Sequence, residues 1–354
     1  MAGFFFSPFE TTMAAQTVHL LLLLLCPLIL NTAAAGREIT KCDILPGVEL
    51  GIQERYDHAV IYFDSLRNLF PDNPAPHFFL ATIWQTKMMD FETEKWRVLF
   101  LAEIDSTIKL SEKQLRQDPD DPESRFYLGS ALSYKSFQLS REKKYLNALN
   151  LAIKGIHYIK QVIEQDSSFY DAYLGIGSYL YWRSYMTRKF SWLPFFSDQR
   201  AKGIKLISLS FEKGELSRWA ALSNLAWIYI QEGRFKEAIE SARLGLDQFP
   251  NARSFLWPLA DAYYHNGEWH AALANYKTLL ELVTNAEFNN HYNEIVLHLK
   301  IAQCFFALSM WPETRFHAGK VLSIVADAEV QSRLKPKQKE ARRMLKRFDS
   351  MSID

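Results

Sequence analysis

Leu222–Pro250, LSNLAWIYIQEGRFKEAIESARLGLDQFP, is followed almost at once by Leu256–Leu282, LWPLADAYYHNGEWHAALANYKTLLEL, and the two superpose at a shift of 34 residues. Leu225 falls on Leu259, Tyr229 on Tyr263, Gly233 on Gly267, Phe235 on Trp269 and Ala238 on Ala272. Each copy holds two stretches with the apolar spacing of an amphipathic helix, divided by a glycine. That glycine predicts a left-handed cap that ends the first helix, and Pro250 predicts the stop of the second. Ala226, Ala238, Ala260 and Ala272 are small enough for the two helices to approach closely, while Leu225, Tyr229, Leu259 and Tyr263 fill the space around them. The unit is therefore a helical hairpin. Hairpins in tandem predict an all-α solenoid in which each unit buries its apolar face on the next.

Weaker copies extend the pattern both ways. Downstream, Ile301-Ala302-x-x-Phe305 is followed by Trp311 and by Thr314 in the small site, after eight extra residues, since Leu259 to Ile301 is 42. Upstream, Leu80-Ala81-x-x-Trp84, Leu128-Gly129-x-x-Leu132 and Ile176-Gly177-x-x-Leu180 recur at 48, 48 and 49. The longer period predicts longer hairpins: Leu128 to its expected small partner Ala148 is 20 positions, against 13 from Leu225 to Ala238. Tyr56, Ala59, Phe63 and Pro71 reproduce a second helix, giving a half-repeat and six hairpins. The large-x-x-Leu-Ala-x-x-Tyr first helix, glycine turn and Ala-centred second helix resemble the tetratricopeptide-repeat (TPR) family. The resemblance implies a right-handed superhelical solenoid with elongated N-terminal repeats. It also implies a non-catalytic scaffold or adaptor that binds a protein or peptide along a concave groove lined by first helices.

Four segments are expected: 1–35, 36–54 as a lead-in, 55–325 as the solenoid, and 326–354 as a basic capping helix and tail. The cap is read from Lys335–Phe348, where Ala341, Met344, Leu345 and Phe348 share one helical face. Residues 1–35 contain one carboxylate and no Lys or Arg; VHLLLLLLCPLIL (Val18–Leu30) precedes Ala33-Ala34-Ala35. This is the layout of a cleaved signal peptide or an uncleaved N-terminal membrane anchor, which predicts an exported (periplasmic or extracellular) or membrane-anchored protein of the cell envelope.

The whole chain carries 41 basic and 40 acidic residues, a formal charge of +1. No long-range field favours nucleic acid as a partner. Cys42 and Cys304, the cysteines outside the apolar run, do not form a metal or redox motif, and Cys304 falls on an apolar helix face. Gly-rich phosphate loops, HExxH and Gly-x-Ser-x-Gly are missing. His291, Glu294 and His298 share a helix face, but they sit in the polar expansion before the last hairpin and are read as exposed. No enzyme activity, metal or cofactor is predicted.

Positions not used for packing on successive first helices are Tyr127, Tyr134, Tyr181, Trp182, Trp227, Trp257 and Tyr264, together with Phe126. Aromatics with a polar handle suit interface hot spots, so they are the candidate groove. The competing expectation is that these rings pack internally or meet the N-terminal segment. Asn224, Gln231 and Gln303 favour an extended peptide; the alternative ligand is a lipid or other hydrophobic molecule, which would need a dry apolar channel. Within the insertion KFSWLPFFSDQR, Trp192–Phe196 is either a membrane-dipping or partner-docking loop or, as favoured here, a plug buried on the neighbouring hairpin.

Overall fold

The computed structural model of the chain describes residues 37–188 and 197–351. The N-terminal segment 1–35 and the Trp192–Phe196 cluster lie outside the described residues. Fifteen helices and no strand are found among the described residues. A first pair, α1 (Lys41–Ile52) and α2 (Tyr56–Leu69), precedes the elongated hairpins α3 (Pro74–Asp90) with α4 (Arg97–Gln117), α5 (Pro122–Arg141) with α6 (Tyr145–Gln165), and α7 (Ala172–Thr187) with α8 (Arg200–Lys213). The shorter hairpins are α9 (Arg218–Gln231) with α10 (Phe235–Gln248), α11 (Arg253–His265) with α12 (Trp269–Thr284), and α13 (Tyr292–Ala307) with α14 (Trp311–Ser323). Helix α15 (Ala328–Met351) ends the chain. The architecture is the all-α solenoid expected from the repeats. The lead-in supplies α1, so the half-repeat is a full hairpin.

One turn geometry recurs. Gly233 and Gly267 sit at φ 72° and 80°, and the next residue's N–H closes back on the first helix: Arg234 to the Tyr229 carbonyl, Glu268 to that of Tyr263. This is the left-handed helix stop. Four other turns within hairpins build the same stop on residues with a Cβ: Glu54, Glu92, Lys143 and Ser309 all have positive φ, with Arg55, Thr93, Lys144 and Met310 closing on Leu50, Met88, Leu139 and Phe305. A left-handed non-glycine residue costs about 1 kcal/mol, so Gly-x-aromatic is the sequence-visible form of a more general turn.

Two of the longer-period hairpins, α5–α6 and α7–α8, cross on glycine. Helices α5 and α6 have 20 and 21 residues where α9 and α10 have 14 each. A Cβ on Gly129 would lie 2.8 Å from the Gly155 carbonyl oxygen and one on Gly155 2.7 Å from that of Gly129; Gly177 and Gly203 repeat these two distances. The expected partner Ala148 is instead one level further along, its carbonyl accepting from the Ser136 hydroxyl at 2.7 Å. In the shorter hairpins a proline is absorbed. Pro258 inside α11 has no N–H for the Ser254 carbonyl, and the Ser223 hydroxyl of α9 donates to that carbonyl at 3.0 Å.

Helix α15 is longer than the expected cap and starts at Ala328. Val330, Leu334 and Ala341 are buried on Ile295, Leu299, Ala302, Ala318 and Val321, covering the apolar end of the last hairpin, with Met344 and Leu345 packed beside them. The side chain of Phe348 lies outside those described.

The two ends of the solenoid meet. Arg253, at the start of α11, bonds the carboxylate of Asp90 at the end of α3, with Nε to Oδ1 at 3.0 Å. Its other guanidinium nitrogen lies 3.2 Å from Glu54, and its backbone N–H donates to the same carboxylate. The eight extra residues before α13 are the other half of the closure. Phe288 packs on Phe91 and Trp96, Glu287 pairs with Lys87 at 2.6 Å, and Asn290 and Asn293 donate to the carbonyls of Glu92 and Asp90. Arg333 of α15 pairs with Glu92. Along the same edge, Lys41 of α1 reaches Glu215 at 2.9 Å and the buried Asp171, whose carboxylate also accepts from the N–H groups of Glu215 and Ser217.

Candidate partner-binding face

The first helix of each hairpin repeats every 34 or 48 residues, so side chains at one repeat position come into line, and the seven candidate aromatics are carried on α5, α7, α9 and α11. The structure divides them. Tyr127 and Tyr134 of α5 pack on Phe78 of α3, with ring centroids at 5.6 and 5.4 Å; Phe126 stacks on Phe169 at 5.0 Å. Tyr127 and Tyr181 are core residues. The expectation of an open face is corrected at these two positions: Tyr127 interdigitates with the rings of α3, and Tyr181 is buried against Ile207 of α8 and Leu225 and Ile228 of α9. Burial pushes the Tyr127, Tyr134 and Tyr181 phenols above their ordinary value, so all three are proton donors at neutral pH.

Tyr181 has a structural partner. Its hydroxyl donates to Glu232 at 2.8 Å, and the same carboxylate takes Arg200 at 2.9 Å. Beside it, Tyr185 donates to Gln231 at 2.9 Å, and the Trp182 ring stands edge-on to both tyrosines at 5.0 and 5.7 Å. Thus Gln231, expected to meet a peptide, already accepts from within the fold, as Asn224 donates to Ser178 and Gln303 to Glu340.

Trp182, Trp227, Trp257 and Tyr264 are half-buried. Trp257 and Tyr264 rest on the core shared by α9 to α13. Beneath Tyr264, Lys300 pairs with Asp261 at 3.0 Å, and its ammonium lies 5.8 Å from the centroid of the Tyr264 ring. Tyr276 donates to the same Asp261 carboxylate. These contacts fix the ring bases and leave part of each face to solvent, as an interface anchor requires.

The polar candidates are also placed. His291 is half-buried and its ring contacts Glu294, also half-buried, at 2.8 Å. His298 is turned away and buried, its Nδ1 2.9 Å from Nδ1 of His317 on α14, so the reading of an exposed trio is corrected, most fully at His298. Desolvation lowers both imidazoles, His317 to about 4. Cys304 is a buried hydrophobe with its thiol pushed up to about 12. Among the described residues no group of three or more His, Cys, Asp or Glu is placed to hold a metal ion. A cleft of about 420 Å³ lies beside Tyr181, lined by Asp198, Arg200, Ala201, Ile204, Glu232 and Arg234.

Sequence reasoning passed over Arg253, Glu54, Asp90, Asn290 and Asn293. The available signal was a break in the repeat: Arg253 occupies the register position of Trp219, 34 residues earlier.

A stack of helical hairpins with left-handed turns and a terminal cap defines a repeat scaffold. Residues 223–290 match the tetratricopeptide-repeat family model. No curated protein matches the sequence. Among solved structures, the chain is similar to an APC/C hetero-tetramer Cut9–Hcn1 chain, at 12% identity and TM-score 0.53, over 84% of this chain and 48% of that one. It spans about half the length of that relative. It is also similar to PilW, a type IV pilus biogenesis factor, at 13% identity and TM-score 0.48, over 72% of this chain and 99% of that one. The C-terminal part of a TPR protein from Cytophaga hutchinsonii aligns at 16% identity and TM-score 0.45, covering 84% and 98%.

Proposed function

We propose that the chain is a non-catalytic scaffold or adaptor that holds a protein or peptide partner on Trp182, Trp227, Trp257 and Tyr264. The observation that carries this reading is the half-burial of these four rings on three consecutive first helices, while Tyr127 and Tyr181 are buried and the half-buried Tyr134 is held edge-on to Phe78. Half-buried aromatics with fixed bases lose little rotamer freedom on binding. The hydrophobic-ligand reading is weaker, since the cleft beside Tyr181 is lined by two arginines and two carboxylates where a lipid needs continuous apolar walls. An exported or membrane-associated setting rests on the apolar run Val18–Leu30 and the Ala33–Ala35 site. Among the described residues no helix is long and apolar enough to cross a membrane.

The test is a pull-down from envelope extract with the full chain and with a Trp227→Ala, Trp257→Ala double variant, matched by circular dichroism and read by mass spectrometry for proteins and lipids. A protein captured by the native chain and lost from the folded variant supports the scaffold. Co-purified lipid without protein transfers the assignment to a hydrophobic ligand, and an identical profile from both chains removes these rings from the binding face.

A further inference from the structure

The second helix of a hairpin normally hides the apolar residue just after its small site under the following hairpin. Ile239, after Ala238 in α10, and Leu273, after Ala272 in α12, are both buried in this way. In α6 the residue in the same register from the turn is Leu149, directly after Ala148, and it is more than half exposed, while Ile156, after the crossing glycine Gly155, takes the buried place. Leu149 belongs to a stripe. Leu146, 80% exposed, Leu149 and Ile153 follow one another at helical spacing, with Tyr145 alongside. A solvent-facing second helix usually carries charge there: Leu146 and Ile153 stand where α10 has Lys236 and Arg243.

A second apolar patch stands on the other side of the α5–α6 turn. Val98, 72% exposed, and Leu99 lie at the start of α4. The start of α4 is stitched to the α5–α6 turn by Arg97 to Glu142 at 3.2 Å, Arg141 to Glu94 at 2.8 Å and Gln138 to Glu94 at 2.9 Å. The apolar side chains thus gather at one end of the elongated hairpins, the end that the additional turns build. Basic residues surround them: Arg97, Arg141, Lys143, Lys144 and Lys154, five cations, against Glu94 and Glu142, two carboxylates. Lys143 is the left-handed turn residue, so its side chain projects from the tip itself.

We propose that this tip docks on an anionic lipid surface, with Leu146, Leu149, Ile153 and Val98 entering the headgroup boundary and the surrounding cations on lipid phosphates. Apolar side chains ringed by Lys and Arg are the composition of an interfacial membrane contact. A second copy of the chain fits less well, because two such tips bring excess positive charge face to face. The surface lies on second helices and hairpin turns, apart from the aromatic face of α7, α9 and α11, so a scaffold docked this way keeps its partner site open.

The test places an environment-sensitive fluorophore on Leu146→Cys in the full chain, on a Cys26→Ser, Cys42→Ser background with Cys304 buried. Phosphatidylcholine vesicles containing roughly one-third phosphatidylserine are added, with and without a lipid-borne shallow quencher. The expected result is a blue shift and quenching at position 146. Binding read there weakens at least about tenfold on pure phosphatidylcholine, and by a similar factor in a Val98→Ser, Leu149→Ser, Ile153→Ser variant whose melting curve is unchanged. Three results overturn the proposal: vesicle binding with the label unquenched, a label already shielded without vesicles, or a doubled mass in light scattering that the serine variant abolishes.

Discussion

The hairpins α3–α8 and α9–α14 perform one packing task with different chemistry. In α9–α12 glycine sits in the turns and alanine at the crossings; in α5–α8 glycine moves to the crossings, at Gly129 with Gly155 and Gly177 with Gly203, and the turns of α3–α4 and α5–α6 use Glu92 and Lys143. A longer hairpin has more side chains to interdigitate, so its closest approach is a tighter constraint, while its turn is freed to carry a functional side chain. Glu92 shows the use made of that freedom: it accepts the strain of a left-handed backbone and supplies a carboxylate to the distant Arg333, as Glu54 in the opening α1–α2 turn reaches Arg253.

The sharpest way to break this comparison is to remove the residue that joins the two sets. Arg253→Ala leaves the buried Asp90 carboxylate without its cation and Glu54 without its donors, and is expected to cost about 3–5 kcal/mol, measured by urea unfolding. The folded fraction should show a larger radius of gyration in small-angle scattering. Gly177→Ala comes next, at about 2 kcal/mol, since its methyl meets the Gly203 carbonyl and Ile207 at 2.8 Å. By contrast Gly233→Ala, with nothing within 4 Å of the new methyl, should cost only the left-handed backbone, about 1 kcal/mol. Equal losses at Gly177 and Gly233 would show that the two sets do not differ in what glycine does.

The finest effect is one of pH. Burial, aided by the Asp90 charge, pushes the Glu54 carboxyl up from 4.5 to about 8. The folded chain then holds a proton that the unfolded chain releases, so stability falls as pH rises from about 4.5 to about 8. The buried His317 acts with the opposite sign below 6.5, where the unfolded chain takes up a proton that the folded one resists down to about 4. The Glu54 contribution is therefore read between pH 6.5 and 8, where Glu54→Gln should flatten the slope of the urea midpoint.

Legibility in the sequence follows the same division. Where the repeat is built from large residues around alanine and turned on glycine, as in Leu222–Leu282, both helices and their pairing can be read directly. The elongated hairpins are legible as a period, but the spacing points to Ala148 as the crossing partner, because the extra turns shift contact to Gly155 and no local pattern records that shift. At the candidate face, helix position could be read and accessibility could not: Tyr127 and Trp257 look alike on a helical wheel, and only the approach of α3 separates a buried ring from a half-exposed one. Arg253, Asn290 and Asn293 escaped because their partners lie from 163 to 203 residues away.

The contacts of Arg253 change how the molecule can come apart. A free stack of repeats resembles a zipper, able to fray from either tip because each unit knows only its neighbours. Here the opening hairpin is fastened to the fifth after it, and the terminal helix to the turn of the second. To peel off either end, both fastenings must yield first, and the chain responds to heat or pulling as a buckled belt rather than as a row of teeth.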